Sequence, residues 1–127
     1  MYRFALPLLA IALAGCGGDP PPLDMASTPE KSRALLESAF DAWKAGGTPA
    51  SLAAKSPPVY LSDEGFASGV KLIDYKIEGE PMIIGIGYSY TLTLTLQDGA
   101  KPSTTKKVAY RVVTSPNLSV AKEDRAP

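Results

Sequence analysis

The hydrophobic and polar positions follow three different patterns along the 127-residue chain. Residues 4–13 are apolar, interrupted only by Pro7. Residues 28–45 carry large apolar side chains three and four positions apart, which predicts an amphipathic helix. From Lys71 onward apolar and polar residues alternate, as expected for strands with one buried face. The pattern therefore predicts a single α+β domain over residues 28–122.

The predicted helix begins with Thr28 as its N-cap and Pro29 at its first helical position, and it ends at Gly46-Gly47. We expect this long N-terminal amphipathic helix to pack on the sheet through one apolar face. That face consists of Leu35, Leu36, Ala39, Phe40 and Trp43. At this spacing Trp43 is expected in the core, and a platform for a ligand is the alternative.

About four antiparallel strands are predicted to follow and to form a curved sheet. They cover residues 71–79, 82–97, 103–114 and 118–121. Helical turns at 48–54 and 62–69 and a brief strand at 59–61 precede them, and residues 123–127 are expected to fray. The residues expected to face the helix are Ile73, Tyr75, Ile77, Tyr88, Tyr90, Leu92, Leu94, Val108, Tyr110 and Val112.

Gly85 and Gly87 interrupt the longest alternating stretch. A GxG pair can open a phosphate-binding loop, but no third glycine and no predicted helix follows this one. The chain continues into a strand at Tyr88 instead. We therefore expect the two glycines to mark a bend or bulge in a curved strand.

The apolar run near the N-terminus is too short to span a bilayer, which takes about 20 residues of helix. It follows the basic residue Arg3 and closes with Leu13-Ala14-Gly15-Cys16. These residues resemble the signal peptide and lipobox of a bacterial lipoprotein. The resemblance implies that residues 1–15 are removed and that acyl chains on Cys16 anchor the mature chain to a membrane. An ordinary signal peptide with a chance cysteine is the alternative.

Gly17 follows Cys16, where aspartate retains a lipoprotein in the inner membrane of enteric-type bacteria. The resemblance therefore favours the outer membrane, in a source that has one. Residues 16–27 then form a spacer between the lipid and the domain, with Pro20-Pro21-Pro22 as its stiff part.

Thirteen basic and thirteen acidic residues balance, and they form no long run of one sign. Nucleic-acid binding needs a concentrated basic face, so no nucleic acid is expected as a partner. The chain has no histidine, and Cys16 is its single cysteine, which excludes histidine-based catalysis and an intramolecular disulfide. With Cys16 lipidated, no thiol nucleophile remains. No catalytic residue, cofactor or metal site is expected.

A helix followed by a curved sheet also resembles the cystatin-like and nuclear-transport-factor-like cone folds. Members of that superfamily include isomerases, cyclases and non-catalytic binding modules, so the fold does not select a function. Because no carboxylate is among the inward-facing residues, we expect a non-catalytic binding or scaffolding domain with a protein partner in the envelope. The alternatives are a small cone-fold enzyme acting on a hydrophobic metabolite and a passive protein that assembles with another lipoprotein.

The candidate pocket-lining residues are aromatic, because each ring can join apolar surface to a polar tip. They are Trp43, Tyr75, Tyr88, Tyr90 and Tyr110. Filling the core, with the hydroxyls at its rim, is the alternative role. Three carboxylate pairs are better explained by a helix start, a hairpin end and a tail than by acid–base chemistry. These pairs are Asp63-Glu64, Glu78-Glu80 and Glu123-Asp124.

Overall fold

Three helices and five strands make up residues 28–124, the range that the computed structural model describes. The helices are α1 (Pro29–Lys44), α2 (Pro49–Ala53) and α3 (Glu64–Ser68), and the strands are β1 (Val59–Ser62), β2 (Lys71–Ile84), β3 (Gly87–Gln97), β4 (Thr104–Val113) and β5 (Leu118–Lys122). The chain is α+β, as its hydrophobic pattern predicts. The signal-peptide region, Cys16 and the spacer lie outside the described range, together with residues 125–127.

The five strands form one mixed sheet in the order β1-β5-β4-β3-β2. Strand β1 runs parallel to β5, with Val59 opposite Leu118, and the other neighbouring strands are antiparallel. The expected sheet of about four antiparallel strands is therefore wrong. The additional strand is the brief one at residues 59–61, which is too short to show a pattern and pairs with a partner far along the chain.

Helix α1 lies against the sheet and contacts β2, β3, β4 and β5. The Thr28 side chain caps it by accepting a hydrogen bond from the Lys31 N–H at 3.1 Å. Its buried residues are Ser32, Leu35, Leu36, Ala39, Phe40 and Trp43. Because residues 1–27 lie outside the described range, a long helix at the N-terminus of the chain is not supported, and α1 is an internal helix of 16 residues.

Strands β2 and β3 form a hairpin whose turn lies where a bend was expected. Gly85 and Ile86 make a two-residue turn, with Ile84 opposite Gly87. Gly85 has a φ of 58°, and such turns favour glycine at positions of positive φ. The bulge lies instead at residues 79–81, between the pairs Glu78–Thr91 and Met82–Ser89. The expected bend or bulge at Gly85 and Gly87 is therefore wrong. Polar residues flank Gly79 and so give the sequence signal of a turn there, whereas the observed turn at Gly85 is flanked by isoleucines.

A second register shift, between Leu72 and Asp74, changes which side chains of β2 face the core. Leu72 is fully buried, whereas Ile73 is 36% exposed. The expectation that Ile73 faces inward with Tyr75 and Ile77 is therefore wrong, because one unpaired residue reverses the alternation. Tyr75 and Ile77 are half-buried and pack against the core.

The core lies between α1 and the sheet and is organised around the ring of Phe40. That ring meets Tyr110 edge-on, with 4.9 Å between centroids, and lies 5.4 Å from the ring of Tyr75. Trp43 is 3% exposed, and its indole N–H donates to the Val70 carbonyl at 2.8 Å. Trp43 is thus a core residue with its polar atom satisfied.

Candidate functional site

The Tyr90 hydroxyl is buried where the first turn of α1 meets the sheet. It lies 2.6 Å from Oγ of Ser32 and 3.3 Å from the Pro29 carbonyl oxygen. Ser32 Oγ lies 3.1 Å from the same carbonyl oxygen, so the two hydroxyl protons make one hydrogen bond between the hydroxyls and one to the carbonyl. Both buried hydroxyls therefore have partners, and they fix the start of α1 on β3.

The Tyr110 hydroxyl donates a hydrogen bond to Oδ2 of Asp63. The second oxygen of Asp63, Oδ1, accepts from the backbone N–H groups of Gly65 at 2.7 Å and Phe66 at 3.2 Å, which caps α3. Burial, and then the bond to Asp63, raise the pKa of Tyr110 far above its ordinary value. The hydroxyl therefore keeps its proton into the alkaline range, and both oxygens of Asp63 accept hydrogen bonds.

A similar pair lies near the C-terminal half of α1. The Tyr75 hydroxyl donates to Oδ1 of Asp41 at 2.7 Å, and its pKa is raised by burial and by that bond. Close by, Lys44 lies 3.2 Å from Oδ1 of Asp74 and, by donating that hydrogen bond, holds the pKa of the Asp74 carboxyl below its usual value. These contacts join α1 to β2.

A small cone-fold enzyme would need a carboxylate beside a tyrosine hydroxyl, and Asp41 and Asp63 each lie beside one. Each contact, however, keeps the proton on the tyrosine instead of preparing either group for proton transfer. Asp63 also lines a surface groove of about 410 Å³ together with Lys122 and Asp124. Asp63 therefore borders a groove that could hold a substrate.

A groove of about 650 Å³ lies on another side of the domain, between α1, the loop before β1 and the loop from β4 to β5. Leu35, Val59 and Leu118 give it apolar walls. Lys31 and Lys55, both exposed residues, also line this groove. An apolar surface bordered by positive charge suits a ligand that has an apolar body and a negative end.

Two proline-containing loops shape this groove. Pro57 precedes β1 and Pro116 precedes β5, and both line the groove. Proline has no N–H to donate, so the loops do not continue the strand pairing and a gap remains beside α1. In the sequence each proline is only a local turn signal, and nothing connects the two, so the sequence does not predict the groove. It exists because β1 and β5 are neighbours, and that pairing was not predicted.

One carboxylate of each pair singled out from the sequence has a structural contact, Asp63 with Tyr110 being the first. Glu78 accepts a hydrogen bond from Thr93 Oγ1 at 2.8 Å, and Glu123 accepts one from Ser89 Oγ. The Glu123 N–H also donates to the Ala109 carbonyl at 2.8 Å, which continues the pairing with β4. Among residues 28–124, no group of three or more acidic, histidine or cysteine side chains is placed to hold a metal ion.

All five aromatic candidates belong to the core cluster or pack against it, and Tyr90 lies opposite Tyr110 in the β3–β4 ladder. Tyr75 and Tyr110 pack into the core around Phe40. Trp43 lines a groove of about 620 Å³ with Phe66, and Tyr88 and Tyr90 line one of about 400 Å³. Cys16, the candidate lipidation site, lies outside the described residues.

Comparisons of the chain with protein-family models, with curated proteins and with solved structures find no match. Of the helices in the described range, none is long and apolar enough to cross a membrane. The function is therefore argued from the geometry of the domain and from the residues that precede it.

Proposed function

We propose that this chain is a lipoprotein of a bacterial cell envelope, anchored through Cys16, whose domain binds a partner and catalyses no reaction. The anchor is supported by Arg3, the apolar run and Leu13-Ala14-Gly15-Cys16. The single observation that carries the binding role is the 650 Å³ groove with apolar walls and two lysines. The region between α1 and the sheet is occupied by core side chains, so binding takes place on the outer surface.

The chemistry of the groove indicates the class of ligand. Leu35, Val59 and Leu118 line the groove, so an apolar group laid in it exchanges contact with water for contact with apolar side chains. Lys31 and Lys55 attract a negative charge at the edge of that surface. The partner therefore presents an apolar segment that ends in a carboxylate, such as a peptide C-terminus or an acyl chain.

Titration with dodecanoate, an apolar chain with a carboxylate end, tests this role by calorimetry. We expect saturable binding that the double change Lys31→Glu with Lys55→Glu weakens by roughly tenfold or more. Lys76→Glu, on an exposed lysine of β2 outside the groove, is the matched control and is expected to leave the affinity unchanged. Equal losses in the two variants, or no binding at all, would overturn the assignment of the groove.

The anchor is tested separately, by the mass of the protein extracted from membranes of its source. We expect a chain that begins at Cys16 and carries the mass of attached acyl groups. Cys16→Ser is expected to lose both the added mass and the membrane association, because no other cysteine can take the lipid. Density-gradient separation of the two membranes then tests the proposed outer-membrane location. An unmodified Cys16 that still fractionates with membranes would contradict the proposal.

We also propose that the fold is of the cone type, with the sheet curved around α1. Two features support this: register shifts near Ile73 and at residues 79–81, and the packing of α1 against four of the strands. An experimental structure of residues 16–127 tests the curvature directly. A flat sheet would contradict it.

A small enzyme remains a second candidate because Asp63, hydrogen-bonded by Tyr110, lines a groove beside Lys122. This candidate expects a hydrophobic metabolite to accumulate when the chain is deleted from its source. It further expects the wild-type chain, but not an Asp63→Asn variant, to restore the normal level. The binding proposal expects no accumulation, so metabolite profiles of the deletion strain decide between the two.

A further inference from the structure

The end of the β2–β3 hairpin is the most exposed apolar surface in the described part of the chain. We call residues 81–86 the hairpin tip. Met82 is 52% exposed, Ile83 72% and Ile86 67%. No charged residue lies within the tip. Large apolar side chains with this degree of exposure, grouped in six consecutive positions, indicate a contact surface.

Both faces of the hairpin are apolar at the tip. Met82 and Ile83 are consecutive residues of β2, so their side chains point to opposite faces of the strand pair, and both are exposed. Ile86 lies in the turn between the two strands. A partner protein packing on one face would leave the other face in water. An apolar medium that surrounds the tip covers both faces at once, and the lipid acyl region is such a medium.

The tip also lies near the point at which the described chain begins. Pro29, the first residue of α1, lines the same groove as Pro81 and Ile83. The spacer leading back from Thr28 to Cys16 is short: its roughly 12 residues reach at most about 40 Å when fully extended. A lipid anchor at Cys16 therefore keeps the tip within reach of the same membrane.

We infer that the hairpin tip inserts into the lipid surface to which the chain is anchored, as a second contact beside the acyl chains. This inference rests on the proposed lipid anchor. Inserting a few apolar side chains gives weak binding by itself, but a short tether raises their effective concentration at the surface. Residues 16–127 have one more acidic than basic residue, and the tip contains no charged residue, so the contact is not expected to depend on anionic lipid.

Because Cys16 is the single cysteine, the anchor can be rebuilt chemically and the tip tested on its own. Residues 16–127, which contain the whole described fold, are coupled through Cys16 to a maleimide lipid in phosphatidylcholine vesicles. Ile83→Trp places a fluorescent reporter on the tip. We expect lipids brominated in their acyl chains to quench roughly half or more of the added emission, and acrylamide in the water to quench little of it.

Tyr60→Trp is the matched control, because Tyr60 is an exposed residue of the edge strand β1, at the opposite side of the sheet. Its emission is expected to respond to acrylamide and not to the brominated lipids. Trp43 contributes a constant background that the unmodified chain measures. Ile86→Trp repeats the test within the turn, in case the change at Ile83 disturbs the fold.

The outcomes separate this inference from the lipid-anchor proposal. A tip reporter that stays accessible to acrylamide on the vesicles overturns the inference, even if native Cys16 proves to be acylated. A tip reporter quenched by brominated lipid supports it, and replacing phosphatidylcholine by one-quarter phosphatidylglycerol is expected to change that quenching by less than about twofold. The mass of the native protein tests acylation independently of both results.

Discussion

The two ends of the β2–β3 ladder carry apolar side chains of similar size but have opposite environments. At the end far from the turn, Leu72 pairs with Leu96 and both are buried. At the turn, Ile83 and Ile86 are exposed. Helix α1 and its neighbours cover the first end and leave the second bare. The apolar side chains of this hairpin therefore form part of the core at one end and are left exposed to water at the other.

The largest effect is expected from a change in the covered region. Phe40→Ala removes the ring that contacts Tyr75 and Tyr110, and it is expected to lower the free energy of unfolding by about 3–5 kcal/mol. Urea denaturation followed by Trp43 fluorescence measures the loss. A loss below about 1 kcal/mol would show that neighbouring side chains fill the space left by the ring. The covered end of the hairpin would then contribute little more to stability than the exposed end.

A smaller loss is expected from Tyr110→Phe, which leaves Oδ2 of Asp63 without its hydroxyl donor. Because that carboxylate is partly buried, we expect the free energy of unfolding to fall by about 1–3 kcal/mol. Tyr60→Phe, on an exposed tyrosine, is the control and is expected to change nothing measurable. If both variants unfold at the same urea concentration as the wild type, the bond between Tyr110 and Asp63 makes no net contribution.

The raised pKa of Tyr110 and Tyr75 predicts an alkaline loss of stability. An unfolded tyrosine loses its proton near pH 10, whereas these residues keep theirs in the folded chain. Their contribution is therefore fully present below about pH 10 and is lost as the pH rises further, at up to about 1.4 kcal/mol per pH unit for Tyr110. Urea denaturation from about pH 8 to about pH 11 measures this slope.

Tyr110→Phe provides the check on the alkaline prediction. Above about pH 10 the free energy of unfolding of this variant is expected to fall less steeply than that of the wild type. The reason is that only the Tyr75 proton, and no longer the Tyr110 proton, links stability to pH. Tyr60→Phe should keep the wild-type slope. An unchanged slope in Tyr110→Phe would mean that other groups govern the alkaline loss.

The smallest effect on stability is expected at the hairpin tip. Ile83→Ser and Ile86→Ser replace exposed side chains, so each is expected to change the free energy of unfolding by less than about 0.5 kcal/mol. Circular dichroism and urea denaturation in the absence of lipid measure this. A loss of several kcal/mol at either position would show that the side chain contributes to the packing of the fold, and the argument for a binding surface at the tip would fail.

The sequence was sufficient for the elements whose signals are local. The cap at Thr28 and the buried face from Leu35 to Trp43 follow from residues a few positions apart, and the alternation in β3 and β4 identifies their buried sides. The register of β2 was out of reach, because one unpaired residue at Ile73 reverses its faces. The position of the turn was also missed, because polar residues flank Gly79 while apolar residues flank Gly85.

The candidate site was less accessible than the fold. The groove is assembled from Lys31, Lys55 and Leu118, which no local pattern connects. They meet because β1 pairs with β5 beside α1, a contact between distant parts of the chain. The aromatic residues, which the sequence suggested as pocket-lining candidates, mostly form the core.

The parallel pairing of β1 with β5 has a consequence for the order in which the chain folds. Val59 finds its partner at Leu118, so β1 stays without a neighbouring strand until β5 has been synthesised. Closing so large a loop is slow compared with forming a local hairpin. A chain that folds while it is synthesised from its N-terminus therefore keeps β1 as an unpaired strand until β5 emerges.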